Sequence, residues 1–581
     1  MPGVSQVDGF ADKVGFIWGV ADDLRGDYKA HEYGNVILPL VVLRRLDCVL
    51  EPTKAAVVAR AFDLAGKIDN LDPLLLKAAG QPFYNVSPLS FTRLLDDANN
   101  VAANLRSYIR GFSAGAVEVL DKYGFDNTIT RLDNAGLLYG VLSRFAEIDL
   151  HPTAVPNEAM GYIFEELLRK FSEMSNETAG EHFTPREVIQ LMVNILFSED
   201  DDALRGTAPV RTMFDCACGT GGMLTGGQEH LAAVNPKARL EVFGQELNAE
   251  TWAIARSDMM IKGQDPSRIA LGNSLSDDQF PGRHFDYMIA NPPFGVDWKR
   301  IQKQITDEAT LLGEQGRFGA GLPRVSDGSL LFLQHLMSKM KPVSQGGSRL
   351  AIVFSGSPLF SGAAGSGESN IRRHIIENDL LEAVVALPDQ LYYNTAISTY
   401  FWVLTNRKAE HRKGKVALVD ARADFAKMRK SLGDKRKYVT PDQIADLTRL
   451  YHHALDEAAG DPRVKVFNNE DFGFARIVVE RPKTDEAGQP ARNRKGPVAD
   501  PDLRDNENVP LTDDIDDYLK REVLPHVPDA WVDHTKTKIG YEIPFTRHFY
   551  TYTPPRTVTD IDADIARVEA KIQRVLAAVT K

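Results

Sequence analysis

Apolar residues in the first 150 positions recur every three or four residues. Trp18, Leu24, Ile37, Leu40, Val41, Leu43, Leu46 and Leu50 keep this spacing, as does the stretch from Leu137 to Phe145. The pattern predicts an all-α region over 1–150. Beyond residue 200 the pattern changes to short apolar runs bounded by Gly, Pro, Asn and Asp. Val210–Phe214, Leu240–Glu246, Ile269–Ser274 and Phe285–Ala290 read as buried strands, followed by Arg349–Phe354, Leu381–Leu387 and Ser398–Thr405. A helical run at Leu330–Met340 separates the two groups, so 151–410 is expected to form an α/β region. Residues 411–483 mix strands, at Lys415–Val419 and Phe474–Glu480, with a helix around Ile444–Leu455. Residues 484–508 are rich in Pro, Gly and charge and read as a linker or mobile loop. In the last region, 509–581, Val558, Ile561, Ile565, Val568, Ile572, Val575 and Val579 are spaced 3, 4, 3, 4, 3, 4. That heptad seam predicts a helix over 558–579 suited to docking on a partner coil.

The ends of the predicted strands carry the candidate chemistry, where open α/β sheets bind ligands. Phe214-Asp215-Cys216-Ala217-Cys218-Gly219-Thr220-Gly221-Gly222 follows the first strand, and its glycines allow a sharp strand-to-helix turn and close approach to a ligand. Glu246 ends the second strand, as an acid holding ribose hydroxyls does. Asn273 and Ser274 end the third, and Asn291-Pro292-Pro293-Phe294 ends the fourth. An amide, rigid carbonyls and an aromatic ring suit the amino edge and face of an adenine. The motif resembles the catalytic motif of DNA N6-adenine methyltransferases. The glycine loop lacks the third Gly or Ala of a G-x-G-x-x-G dinucleotide fingerprint. The glycine-rich Gly362–Ser369 lacks a P-loop lysine and reads as a mobile loop.

Further segments extend the likeness over nearly the whole chain. Gly180-Glu181-His182-Phe183-Thr184-Pro185-Arg186, Gly244-Gln245-Glu246-Leu247-Asn248, Gly356-Ser357-Pro358-Leu359-Phe360, Leu387-Pro388-Asp389-Gln390-Leu391 and Gly540–Tyr550 resemble the modification subunit of type I restriction–modification systems. The family often has Pro and Ala where this chain has Cys216 and Cys218. The resemblance implies a class I S-adenosylmethionine-dependent methyltransferase: a Rossmann-like mixed sheet with an N-terminal all-α domain and a C-terminal helical or coiled-coil extension. It implies methyl transfer from S-adenosylmethionine to N6 of a flipped adenine, with Asn291, Pro292, Pro293 and Phe294 catalytic. Glu181, His182, Phe183, Thr184, Pro185 and Arg186 would close over the methionine end of the cofactor. Asp215, Gly219, Thr220 and Gly221 would hold its amino-acid portion, Glu246 its ribose and Asn273 or Ser274 its adenine. The implied partners are double-stranded DNA, a specificity subunit clasped by two modification subunits, and a restriction subunit in the full complex.

Composition changes the picture in two respects. Three cysteines in 581 residues form neither a disulfide framework nor a zinc ribbon, and no metal site is expected. No apolar run approaches membrane-spanning length and the N-terminus is not a signal peptide, so a cytoplasmic, multi-domain enzyme is expected. Net charge is the second: 68 Lys+Arg against 80 Asp+Glu leave −12. Proteins that hold DNA alone usually carry a basic face, so this balance assigns much of the DNA grip to another polypeptide.

Overall fold

The chain was analysed as a computed structural model, which describes residues 10–174, 184–200, 204, 206–393, 395–432, 434–454, 460–484, 489–493, 496–552 and 556–579. Glu181, His182 and Phe183 lie outside the described residues. Two compact units are present, 1–543 and 544–581.

In the first unit, the helical pattern of 1–150 forms helices at Phe10–Asp23, Tyr33–Leu50, Lys54–Leu64, Asp72–Ala79, Val101–Arg110, Ala114–Lys122, Phe125–Asn134 and Leu138–Glu147. Tyr33–Leu50 is buried along most of its length, which is why its sequence is apolar on nearly every face. From it the fully buried Arg45 donates to the carbonyls of Leu150 and Val155 and to Asn157 Oδ1 (2.7 Å), fixing the turn into helix Asn157–Met174. The helical region docks on helix Ala249–Ile261 of the α/β core. Tyr123 Oη meets Ser257 Oγ at 3.3 Å there, and Arg256 pairs with Glu118 at 3.0 Å.

The core is a nine-stranded sheet of β1 (Val210–Asp215), β2 (Arg239–Glu246), β3 (Ile269–Leu271), β4 (Tyr287–Ala290), β5 (Arg349–Ser355), β6 (Leu381–Ala386), β7 (Thr399–Thr405), β8 (Lys415–Asp420) and, after the hairpin β9–β10 (Ala426–Leu432, Lys435–Tyr438), β11 (Val464–Asn468). Their order is β3-β2-β1-β4-β5-β7-β6-β8-β11. The first five are mutually parallel, and β7 runs antiparallel between β5 and β6. β6 and β7 are buried throughout, which explains their mostly apolar sequences; the buried Glu382 of β6 is paired with Arg349 and Arg412. The chain leaves β1 in one direction for β2 and β3 and returns on the other side for β4, so the topological switch lies between β1 and β4.

Two stretches differ from the sequence expectation. Gly362–Ser369, expected as a mobile loop, leads into helix Gly367–Glu377, whose N-cap Ser366 accepts from Ser369 N. A Cβ on Gly367 would lie 1.7 Å from the Leu322 carbonyl, so this glycine serves close packing. In 484–508 the described residues include the short ladder Arg492–Asn493/Gly496–Pro497 and the start of strand Asp505–Pro510. That strand joins a small sheet around Gly473–Glu480, with Trp531–Val532 and Lys538–Tyr541. In the second unit, Val558–Val579 is one 22-residue helix. Its seam residues Val558, Ile561, Ile565, Val568, Ile572 and Val575 are all exposed, between 42% and 73%. The Val579 side chain lies outside the described residues.

Candidate active site

A cleft of about 960 Å³ opens at the carboxyl ends of β1 and β4, on the switch point. That is at the upper end of the roughly 300–1,000 Å³ typical of small-molecule sites, with room for two ligand parts. Asp215, Gly219, Thr220, Glu246, Asn273, Asn291, Pro292, Pro293, Phe294 and Thr184 all line it. Gly221, Pro185 and Arg186 are not among its lining residues. Gly221 caps helix Gly222–Val234, Pro185 precedes helix Arg186–Phe197, and Arg186 pairs with Glu165.

The glycine loop turns through left-handed conformations at Gly219 (φ 53°) and Gly221 (φ 84°), which side-chain-bearing residues adopt only at a cost. Glu246 is 8% exposed and accepts Gly219 N at 2.8 Å and Asn248 N at 2.7 Å, so it locks the ends of β1 and β2 together. A carboxylate has about four lone-pair sites, which leaves acceptors for a ligand's hydroxyls. Asp215 accepts from Ala217 N at 2.9 Å, and burial pushes its carboxyl up to about 8, with the charge of Glu246 adding to the rise. Cys216 and Cys218 are free and buried, and burial raises both thiols well above their ordinary range.

Beyond β3, Asn273 Oδ1 accepts from Leu275 N (2.9 Å) and Ser274 Oγ donates to the Cys216 carbonyl (2.6 Å), which binds this turn to the glycine loop. At the end of β4, Asn291 Nδ2 donates to Thr184 Oγ1 at 3.0 Å, while the buried Asn291 Oδ1 has no protein partner. An unmatched buried acceptor is costly, and such atoms cluster where a ligand completes the bonding. Phe294 stands edge-on to the buried Tyr392, with ring centroids 6.5 Å apart.

Sequence reasoning passed over Tyr392, Thr395 and Ile397, which line the cleft from the loop between β6 and β7, and also Trp298 and Ile301. Loop residues without regular spacing carry no local signal. Leu247 and Asn248, also in the lining, directly follow Glu246 in the sequence and were findable by adjacency.

The reversed β7 separates this sheet from the all-parallel dinucleotide-binding type. With the glycine loop at the end of β1, it makes the fold that of a class I S-adenosylmethionine-dependent methyltransferase. Residues 156–479 match the N-6 DNA Methylase family and residues 14–145 the HsdM N-terminal domain. The chain belongs to the N-6 DNA methylase family. It is similar to the type I restriction enzyme MjaIX methylase subunit of Methanocaldococcus jannaschii, at 26% identity over 482 residues and 80% of each chain. It is also similar to the type I restriction enzyme HindI methylase subunit of Haemophilus influenzae, at 28% identity over 51% of this chain and 60% of the relative. Among solved structures, the methyltransferase subunit of a type I restriction–modification system from Streptococcus thermophilus aligns with a TM-score of 0.62, at 21% identity, over 79% of this chain and 96% of that one. A chain from a type I restriction–modification system, described for its complex assembly, aligns with a TM-score of 0.55, at 19% identity, over 99% of this chain and 98% of the other. Among the described residues, no helix is long and apolar enough to cross a membrane and no cluster of metal-ligating side chains is present.

Proposed function

We propose that the chain transfers a methyl group from S-adenosylmethionine to N6 of an adenine flipped out of double-stranded DNA. It would act as the modification subunit of a type I restriction–modification complex. The observation that carries the reading is the orientation of Asn291, a residue lining the cleft: its Nδ2 is held by Thr184 Oγ1, and its buried Oδ1 is left without a protein partner. An acceptor so presented fits an amino group with hydrogens to donate.

The lone pair of adenine N6 is conjugated into the ring and is a poor nucleophile. Asn291 Oδ1 and the Pro292 carbonyl would accept its two hydrogens and favour a tetrahedral nitrogen whose lone pair is free. Pro292 and Pro293 stiffen the turn that carries the second acceptor. Phe294 would stack on the base, which must leave the duplex to reach the cleft. Glu246 would hold the cofactor's ribose, the Asn273–Leu275 turn its adenine, and Asp215 with the glycine loop its amino-acid end. When bound, the cofactor supplies an activated methyl on a sulfonium. The chain's part is then positioning and hydrogen bonding.

The net charge of −12 supports a second polypeptide that reads the sequence and grips the duplex. In the type I pattern this is a specificity subunit shared by two modification subunits, with a restriction subunit in the full complex. Mapping N6-methyladenine in the host genome with and without the gene tests the reading. A sequence motif that loses methylation on deletion, and regains it with the wild-type gene but not with Asn291→Ala, is the expected result. An unchanged methylation map would overturn the reading.

A further inference from the structure

The segment between Phe294 and helix Ser329–Ser338 continues directly from the Asn-Pro-Pro-Phe turn and forms a wall of the cleft through Val296, Trp298 and Ile301. Two side chains bond it to the turn after β3: Gln304 Nε2 donates to the Ser276 carbonyl, and Arg317 makes the larger set of contacts. Arg317 Nε and Nη2 donate to the two oxygens of Glu308, on helix Gln302–Leu312, at 2.9 and 2.6 Å. Its Nη1 donates to the Ser274 carbonyl at 2.9 Å and its Nη2 to the Leu275 carbonyl at 2.8 Å. The fifth N–H meets His335 Nδ1 at 3.1 Å. All five guanidinium donors therefore have an acceptor, and a fork with no spare donor holds its partners in one geometry.

His335 is fully buried, and burial, with Arg317 and Lys339 adding to the effect, pushes its pKa down to about 3. The ring is therefore neutral, and Nδ1 must be the acceptor because Arg317 can only donate. The side chain of Leu275 packs with Trp298, Ile305 and Phe318, so the polar clamp has an apolar backing.

We propose that Arg317 is a positioning residue for the cofactor: by gripping two successive carbonyls of the Ser274–Leu275 turn, it sets the width of the slot that receives the cofactor's adenine. The inference rests on reading the cleft as an S-adenosylmethionine site. Arg317 touches no ligand itself; it acts through the turn. A lysine at this position keeps the charge but has no fork with which to hold both carbonyls and Glu308 together.

The test uses the full-length chain, titrated calorimetrically with S-adenosylhomocysteine and with its N6-benzyl derivative. Wild type should bind the first and discriminate strongly against the second. R317K should weaken S-adenosylhomocysteine binding about tenfold and reduce the discrimination by a similar factor, because a released turn admits the larger ring. In methylation assays KM for the cofactor should rise, while kcat at saturation stays within about threefold. E308Q keeps the arginine but weakens its anchor, and should move both readouts in the same direction by a smaller factor, including if R317K fails to fold. Unchanged discrimination in a folded variant overturns the role of Arg317 and leaves the cofactor reading intact. Failure of wild type to bind S-adenosylhomocysteine overturns both.

Discussion

Asn291 Nδ2 lies 3.0 Å from Thr184 Oγ1, and this bond orients the amide so that its buried Oδ1 is left unmatched. Thr184 is 107 residues earlier in the chain and lies at the entry to helix Arg186–Phe197. The orientation of the Asn291 amide is thus set by a residue from another element. Asn291→Ala removes the acceptor and should abolish methyl incorporation into DNA while leaving cofactor binding largely intact, since the proposed cofactor contacts lie at or just past the ends of β1, β2 and β3 and in residues 181–186. Thr184→Val removes only the orienting bond. It should lower kcat by roughly 2- to 13-fold, the effect of about 0.5–1.5 kcal/mol from one neutral hydrogen bond. Tritiated-methyl transfer and calorimetry on the two variants check both outcomes; near-wild-type transfer by Asn291→Ala would remove the residue from the mechanism.

The Glu246 carboxylate is shared between Gly219 N and Asn248 N, so it shapes the site even before a ligand arrives. Glu246→Gln replaces one accepting oxygen with an NH2 group, which must face a backbone N–H or turn away. Cofactor affinity should fall by about 1.5–3 kcal/mol, the range for hydrogen bonds to a charged group. A modest drop in thermal midpoint should accompany it, with turnover at saturating cofactor less affected. An unchanged dissociation constant would confine Glu246 to tying the two strand ends together.

Much of this site was legible because its residues sit at strand ends, and strand ends can be read from apolar runs and the turn residues that close them. Asp215 and Glu246 are the last residues of β1 and β2, Asn291 directly follows β4, and Asn273 lies two residues past β3. The links between these positions were not legible. Arg317 reaches Ser274 across 43 residues, and Lys435 reaches Glu187 across 248. Neither local propensity nor spacing records pairings made by tertiary packing. Gly362–Ser369 was read only in part for a related reason: residues 362–366 form a loop, but Gly367 opens a helix, and its close approach to the Leu322 carbonyl is a tertiary contact that the glycines alone do not record. The antiparallel β11 at the sheet edge was also out of reach, because Val464–Asn468 is short and only partly buried.

Asp215 predicts a pH dependence. Its ordinary value is 3.8 and burial raises it to about 8 in the folded chain. Between those values the unfolded chain has released a proton that the folded chain still holds, so the contribution of this group to stability falls as pH rises. Asp215→Asn keeps an oxygen for Ala217 N and removes the titration. The variant's thermal midpoint relative to wild type should therefore climb from pH 5 to pH 8. Cofactor affinity should fall, because a neutral amide cannot become the counter-charge of an ammonium group. A midpoint difference that is flat across this range would show that Asp215 titrates normally.

Helix Val558–Val579 carries an exposed apolar seam. Its seam residues from Val558 to Val575 are each at least 42% exposed, and Leu576 beside them is 61% exposed. The remaining positions are mostly Asp, Ala, Arg, Lys, Gln and Glu, and Arg556 and Arg567 both pair with Asp564. A seam of seven β-branched residues at heptad spacing has the form of one strand of a coiled coil, and leaving it in water forgoes ~25 cal/mol for each Å² of apolar surface that a partner would cover. Covering several Val and Ile side chains should thus contribute a few kcal/mol to assembly. Truncation before Val558 should impair assembly with a co-expressed specificity subunit and lower methylation of duplex DNA. Cofactor binding should persist, because the glycine loop and Glu246 belong to the first compact unit, 1–543. Size-exclusion chromatography with light scattering on the co-expressed pair gives the decisive mass. If the truncated chain still co-elutes at full stoichiometry and methylates normally, the seam plays no part in holding the partner.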